Sequence, residues 1–436
     1  MLCKICFLLM FALKALSGLS QTSAYTLLKP DRVFDGEEMH TGWVVLINRD
    51  TIVAAGPLQF KLPEGTRIIE LEGSTLMPGL IEGHSHLFLH PYNETSWDDQ
   101  VLKESRAERT IRAVNHAKAT LMAGFTTVRD LGTEGVMFDD VGLKTSIEKG
   151  LVPGPRMIVA TRAIVARGTY GPKSENTENI LPVGAEEVSG MESIAAAVRD
   201  QIGRGADLIK VYADYSYGLN KEVVPTFTVD EMKLMVDIAK QSNRKVVAHA
   251  SSPAGMQNAI MAGVSTIEHG DNGTPEIFRL MKQKGVALCP TLAAGDAVAQ
   301  YQGWKKVRNT QGNSTGPEPA RVVNKRKTFR LALDAGVTIN MGGDAGVFAH
   351  GDNAREMEMM VEYGMKPLAV LQSATSINAD VFGYASKIGR IKPGLLADIV
   401  IVEGDPLLDI KNVRKVKMVM IGGKEVGGLL LTNGHR

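Results

Sequence analysis

Met77-Pro78-Gly79-Leu80-Ile81-Glu82-Gly83-His84-Ser85-His86 is the stretch on which the fold turns. A Pro-Gly pair opens it, a short apolar run follows, and two histidines close it. Residues i and i+2 of a strand face the same side, so both imidazoles can converge on one ion. His-x-His by itself is weak evidence, because a single histidine at a strand end is usually a satisfied core residue. The segments downstream of it decide between the two readings.

Apolar runs of strand length recur at 79–86, 126–131, 156–165, 207–212, 245–250, 265–270, 286–292 and 337–343. Helical patterns lie between them, for example at 107–123, 191–204, 229–242 and 320–335. Regular strand-helix alternation predicts a parallel sheet, and eight such units predict closure into an α/β (β/α)8 barrel, TIM-like. Gly124, Gly205, Gly263, Gly285 and Gly336 stand where helices should stop, in the left-handed conformation. The stretches 25–77 and 386–436 are β-rich, which predicts a small β-sandwich formed by the N- and C-terminal segments, with residues 78–385 inserted as the barrel. A loop at 311–319 follows the seventh strand and is expected over the barrel mouth.

More metal-competent residues fall at the ends of other expected strands: Lys210, His249, His269 and Asp344. Barrel active sites sit at those C-terminal strand ends. Any one of these residues has a bland reading as a core histidine or solvated charge. Of the nine histidines, four (His84, His86, His249 and His269) occupy such ends, and chance convergence on this scale is a poor explanation.

The order His-x-His, Lys, His, His, Asp on strands one, four, five, six and eight resembles the binuclear branch of the amidohydrolase superfamily. The segments Met77–His84, Ala123–Asp130 and Pro393–Val400 and the phrase His350-Gly351-Asp352-Asn353 are similar as well. Within it the chain looks closest to prolidase-like (Xaa-Pro dipeptidase-like) and imidazolonepropionase-related hydrolases. The resemblance implies that His84, His86 and Asp344 hold one divalent ion, and His249 and His269 the other, with zinc the expected metal. It also implies that Lys210 adds carbon dioxide to become a carbamate bridging both ions. An ammonium facing two cations would be repelled and desolvated, so a lowered pKa is required there. Two ions about 3.5–4 Å apart lower the pKa of a hydroxide held between them and polarise a carbonyl. Asp344 is the expected general base, then the general acid toward a leaving nitrogen.

The implied activity is hydrolysis of the amide bond of dipeptides, Xaa-Pro-like, or of N-acyl amino acids. A hydrolase opening cyclic amides of the imidazolone type is the first alternative, and a non-catalytic scaffold on the same barrel is a remote one. Tyr212, Tyr215 and His350 are candidate substrate contacts, each with an equal reading as a loop residue. The loop 90–97 is expected to line the pocket, whereas His40, His116 and His435 are read as packing or surface residues.

Composition excludes other classes. With 49 basic and 48 acidic residues, the net charge of +1 leaves no electrostatic footprint for nucleic acid or an anionic membrane. Lys4, the apolar run 5–13 and Ser17-Gly18-Leu19-Ser20 predict a cleaved signal peptide over 1–24, too short to span a bilayer. An exported, periplasmic or secreted protein follows from that, with a cytoplasmic one if the leader is retained. Cleavage removes Cys3 and Cys6, leaving Cys289 alone and no internal disulfide. A homo-oligomer is expected, as barrels of this branch commonly assemble. Asn93, Asn272 and Asn313 begin short glycosylation-like triplets that carry little weight.

Overall fold

The computed structural model describes residues 25–174, 176, 178–218, 221–304 and 317–428. The expected leader, most of the 311–319 loop, Asn313 and His435 lie outside the described residues. The fold is α/β. Seven short parallel strands are Leu80–Ser85, Phe125–Asp130, Arg156–Val159, Leu208–Tyr212, Lys245–Ala250, Thr266–His269 and Ala287–Cys289. The third and fourth are linked where the Asp207 N–H donates to the Val159 carbonyl at 2.8 Å.

Two expected strands differ from a simple reading. The run 156–165 breaks into Arg156–Val159 and Ile164–Ala166, because Thr161 turns to φ +60° between them and gives its N–H to the Asp140 carboxylate at 2.8 Å. The second piece continues the ring, pairing Ile164 with Val211. The eighth segment, 337–343, forms no regular strand. It keeps a few ladder bonds: Leu288 N–H to the Thr338 carbonyl at 2.9 Å, Asn340 N–H to Leu288 at 3.0 Å, and Gly83 N–H to Met341 at 3.1 Å. These bonds carry the hydrogen-bonded ring back to the first strand. Glycine makes this seam close enough: a Cβ at Gly342 would lie 2.5 Å from Cys289 Sγ and 2.7 Å from the His84 nitrogen. The last segment therefore passes directly beside His84.

The helices form for local reasons. Ser105 caps Arg106–Met122 by accepting from the Glu108 N–H, and Thr228 with Glu231 makes a reciprocal capping box on Val229–Gln241. All five expected stop glycines have positive φ, between +68° and +108°. Ala197, Met232, Met235 and Ile238 turn the apolar faces of two helices inward onto Ile209 and Val246 of the strands. Burying each of the methionine and isoleucine side chains stabilises by roughly 1.5–3 kcal/mol.

The terminal segments meet as expected, but their hydrogen bonds join them in one continuous eight-stranded mixed sheet. Tyr25–Phe34 runs parallel to Arg67–Pro78, which pairs antiparallel with Ile399–Glu403 from the far end of the chain. Leu28, Val45, Ile399 and Ile401 pack together on one face. The Gly79 N–H donates to the Asp398 carbonyl at 2.8 Å, so sheet and ring are joined where the first strand begins. Among the described residues no helix is long and apolar enough to cross a membrane.

Candidate metal centre

His84, His86, Lys210, His249, His269 and Asp344 come from five segments of the ring and gather at its mouth. The His84 ring lies 5.4 Å from His86 and 5.0 Å from His269, and His269 lies 4.5 Å from His249. Asp344 Oδ1 stands 3.6 Å from His84 Nε2 and 3.4 Å from His86 Nε2. Ligating atoms of His84, His269 and Asp344 all fall within 4.8 Å of one another. Lys210 is fully buried among the same groups.

Buried polar atoms normally find a partner, and those that do not call for an explanation. Here His84 Nε2, His249 Nδ1, Lys210 Nζ and Asp344 Oδ1 have none. Nitrogen and oxygen donors aimed into one space suit a divalent ion such as zinc. His269 and Asp344 also adopt φ of +76° and +66°, a strained conformation for side chains with a Cβ. Their neighbours enforce it: Lys325 Nζ holds the His269 carbonyl at 3.1 Å, and the Asp344 N–H donates to the His84 carbonyl at 2.8 Å. Such strain gathers where function over-determines the backbone.

Burial sets the charge states. Desolvation holds His84 and His269 well below the usual histidine range and takes His249 down to about 3. The imidazoles are therefore neutral, with lone pairs free for a metal. Desolvation also lowers Lys210, and it raises Asp344 against the opposing pull of His86 and Lys210.

A layer of carboxylates beneath the centre escaped the sequence reading. Glu268 accepts from His84 Nδ1 at 2.9 Å through one oxygen and from Arg129 at 2.8 Å through the other. That bond fixes the tautomer which leaves His84 Nε2 free. His86 Nδ1 lies 2.9 Å from the Gly132 carbonyl, and His269 Nδ1 lies 2.8 Å from Thr291 Oγ1. Glu82, pushed up to about 7 by burial, accepts from the His84 N–H at 3.0 Å, the Gly343 N–H at 2.8 Å and Asn353 at 2.8 Å. It thus clamps the two chain segments that carry His84 and Asp344. Glu82 and Glu268 each neighbour a metal-competent histidine in sequence, but nothing local shows that they face inward.

A cavity of about 400 Å³ opens over the centre. Tyr212 and Tyr215 line it as expected, as do Tyr92 and Trp97 from the loop after the first strand. Tyr212 stacks on His249 at 4.5 Å. Tyr170, which the sequence reading missed inside a long loop, donates its hydroxyl to Glu134 at 2.7 Å, and Trp97 Nε1 reaches the same oxygen at 3.0 Å. His350 is not among the lining residues. Its Nε2 lies 3.0 Å from the Leu89 carbonyl and its ring stacks on His116 at 4.3 Å. His90 is turned to Glu94 and Glu104, and His40 stacks on Trp43.

Comparison with known proteins follows the same line. The amidohydrolase family model matches residues 75–426. Ochratoxinase of Aspergillus niger is 29% identical over 427 residues, covering 88% of this chain and 82% of its own. A crystal structure of a Xaa-Pro dipeptidase with methionine bound in its active site superposes with a TM-score of 0.81 at 29% identity, covering 93% of this chain and 100% of that one. A prolidase complexed with N-methylphosphonate-L-proline gives 0.79 at 27% identity, with the same coverage of 93% and 100%. The family implies a (β/α)8 barrel, to which the ring of strands corresponds. A family match over most of the chain, joined to metal-competent side chains converging at its strand ends, places this protein in the amidohydrolase superfamily as a metal-dependent hydrolase of carbon–nitrogen bonds.

Proposed function

We propose that the protein hydrolyses the amide bond of dipeptides, Xaa-Pro-like, or of N-acyl amino acids, with two divalent ions, preferably zinc, at the mouth of the barrel. The observation that carries this reading is the set of partnerless buried atoms on His84, His249, Lys210 and Asp344. His84, His86 and Asp344 would hold one ion, and His249 and His269 the other. Lys210, whose pKa burial lowers, would as the free amine add carbon dioxide and lose a proton, giving an anion with two oxygens. Such a pair of ions supplies an acidified water and Lewis acidity toward the scissile carbonyl.

The chain's own groups do the remaining work. Asp344 takes a proton from the attacking water as the new C–O bond forms. It returns that proton to the leaving nitrogen as the C–N bond breaks, so the amine departs neutral. Burial favours the protonated form of its carboxyl, which suits the second half of that task. Glu268 holds the His84 imidazole in place, and Tyr212 braces His249 face to face. The tyrosine and tryptophan walls restrict water and offer apolar contact to a substrate side chain.

The names of the solved relatives, a Xaa-Pro dipeptidase and a prolidase, support the dipeptide class. The test is release of amine from a library of dipeptides and N-acyl amino acids by zinc-loaded protein. Turnover of a coherent subset sharing one C-terminal residue type is expected. Silence across the library from protein carrying two metals would sink the reading and leave cyclic amides as the substrates to try.

A further inference from the structure

Arg321 lines the same cavity as His249, His269 and Asp344, yet it belongs neither to the metal-competent set nor to the carboxylates beneath it. It sits in the first turn of the helix Ala320–Ala335, on the wall formed by that helix and Leu292–Tyr301. Its Nε lies 3.9 Å from where a Cβ on Gly295 would stand, so the guanidinium rests over a bare stretch of helix that also lines the cavity. Among the described residues Arg321 forms no hydrogen bond and no ion pair. The nearby acid feels its charge, more weakly than that of Lys325, but makes no hydrogen bond or ion pair with it. Asp271 also lines the cavity, but its carboxylate is bonded to the buried Lys325 amine, which further reaches the His269 carbonyl and Thr291. Asp296, the residue after Gly295 in the Leu292–Tyr301 helix, is paired with Arg355. The tyrosines are poorer anion partners. The Tyr170 hydroxyl is spent on Glu134, and burial raises Tyr212 and Tyr170 well above the ordinary phenol range, so neither carries charge.

An exposed arginine whose five N–H donors hydrogen-bond to none of the described residues, set in the wall of a cavity with a metal-competent floor, matches one feature of the proposed substrates. Each carries a free carboxylate beside the leaving nitrogen, and planar bidentate pairing with a carboxylate is what arginine does best. We propose that Arg321 is the anchor for the free C-terminal carboxylate of the substrate, and that it restricts the enzyme to exopeptidase-type cleavage. This rests on the proposed amide hydrolysis and deepens it. The arrangement excludes internal peptide bonds, because an amide at that position offers no charge to the guanidinium.

The test compares matched pairs, each an N-acyl amino acid or dipeptide and the same compound with its C-terminus converted to the primary amide. Wild-type protein is expected to favour the free acid by about 10–100-fold in kcat/KM, the range of a charged hydrogen bond. Arg321→Met should bring the ratio close to one by slowing the acids alone, chiefly through KM, with the amides unchanged. Arg321→Lys should restore part of the preference. Direct binding of free amino acids against their amides, measured by calorimetry on zinc-loaded protein, gives a readout independent of turnover, and the Met variant should lose that discrimination too. An acid preference that survives intact in Arg321→Met overturns the anchor, as does a wild type that cleaves acids and amides equally. If neither member of any pair is cleaved or bound by wild type, the amide-hydrolase reading itself fails, a result distinct from both.

Discussion

Two layers of buried polar side chains lie one above the other in the ring, and they differ in a single respect. In the lower layer Glu82, Arg129, Glu268, Asn353 and Glu356 spend their donors and acceptors on one another and on backbone groups. In the upper layer His84 Nε2, His249 Nδ1, Lys210 Nζ and Asp344 Oδ1 spend nothing. His249 and Asp344 keep 18% and 12% side-chain exposure at the cavity, but the four unpartnered atoms themselves are buried, so solvent does not explain the contrast. A folded chain tolerates unsatisfied buried groups, each costing roughly 1–3 kcal/mol, only where something else completes them. The lower layer is scaffold and the upper one is a receptor for ions.

Substitutions sharpen that contrast in descending order. Asp344→Asn removes the proton carrier and a ligand together, and amide turnover should fall by about 10³-fold or more while thermal unfolding stays cooperative. A residual rate within tenfold of wild type would place the proton transfer elsewhere. Lys210→Ala takes away the group proposed to bridge both ions. A loss on the order of 10²–10³-fold is expected by analogy with other metal-site changes, read in the same assay at saturating zinc. Glu268→Gln acts on the lower layer and leaves every ligand in place. Zinc affinity should weaken about 10–100-fold as His84 loses its orienting carboxylate, and Arg129 left unpaired should lower the unfolding temperature. Unchanged affinity, measured by competition with a chelator, would reduce Glu268 to a structural partner of Arg129.

The smallest effect is one of pH. Burial pushes Glu356 up to about 8, although the Leu292 and Ala293 N–H groups oppose the shift. Between the ordinary carboxyl value and about 8 the folded chain therefore holds a proton that the unfolded chain has released. Glu356 stabilises the fold least at the alkaline end of that window. Stability falls as pH rises, by at most about 1.4 kcal/mol per pH unit. Glu356→Gln should flatten that slope in denaturant titrations from pH 5 to 8. An identical slope in the variant would remove Glu356 as its source.

Most of the fold could be read from periodicity, because strand-helix alternation and stop glycines are local signals. The eighth strand was harder. Gly342 and Gly343 mark a close approach to His84 that only the packed ring reveals, and they replace a ladder with a seam. The third strand broke at Thr161 because a distant carboxylate, Asp140, claims its N–H. At the site the upper layer was legible because its residues are of the rare types that bind metal and recur at strand ends. The lower layer was not, since Glu82, Arg129 and Glu268 look like solvated charges until the topology turns them inward. Tyr170 and Arg321 come from a long loop and from a helix start, where no period marks which way a side chain points.

Metal content per chain, measured on protein reconstituted with zinc in bicarbonate buffer and freed of excess ion, bears most directly on the upper layer as an ion receptor. Two zinc ions per wild-type chain are predicted, falling to one or fewer in Lys210→Ala. A wild type that retains no zinc, or a single ion unaffected by Lys210→Ala, would contradict the account.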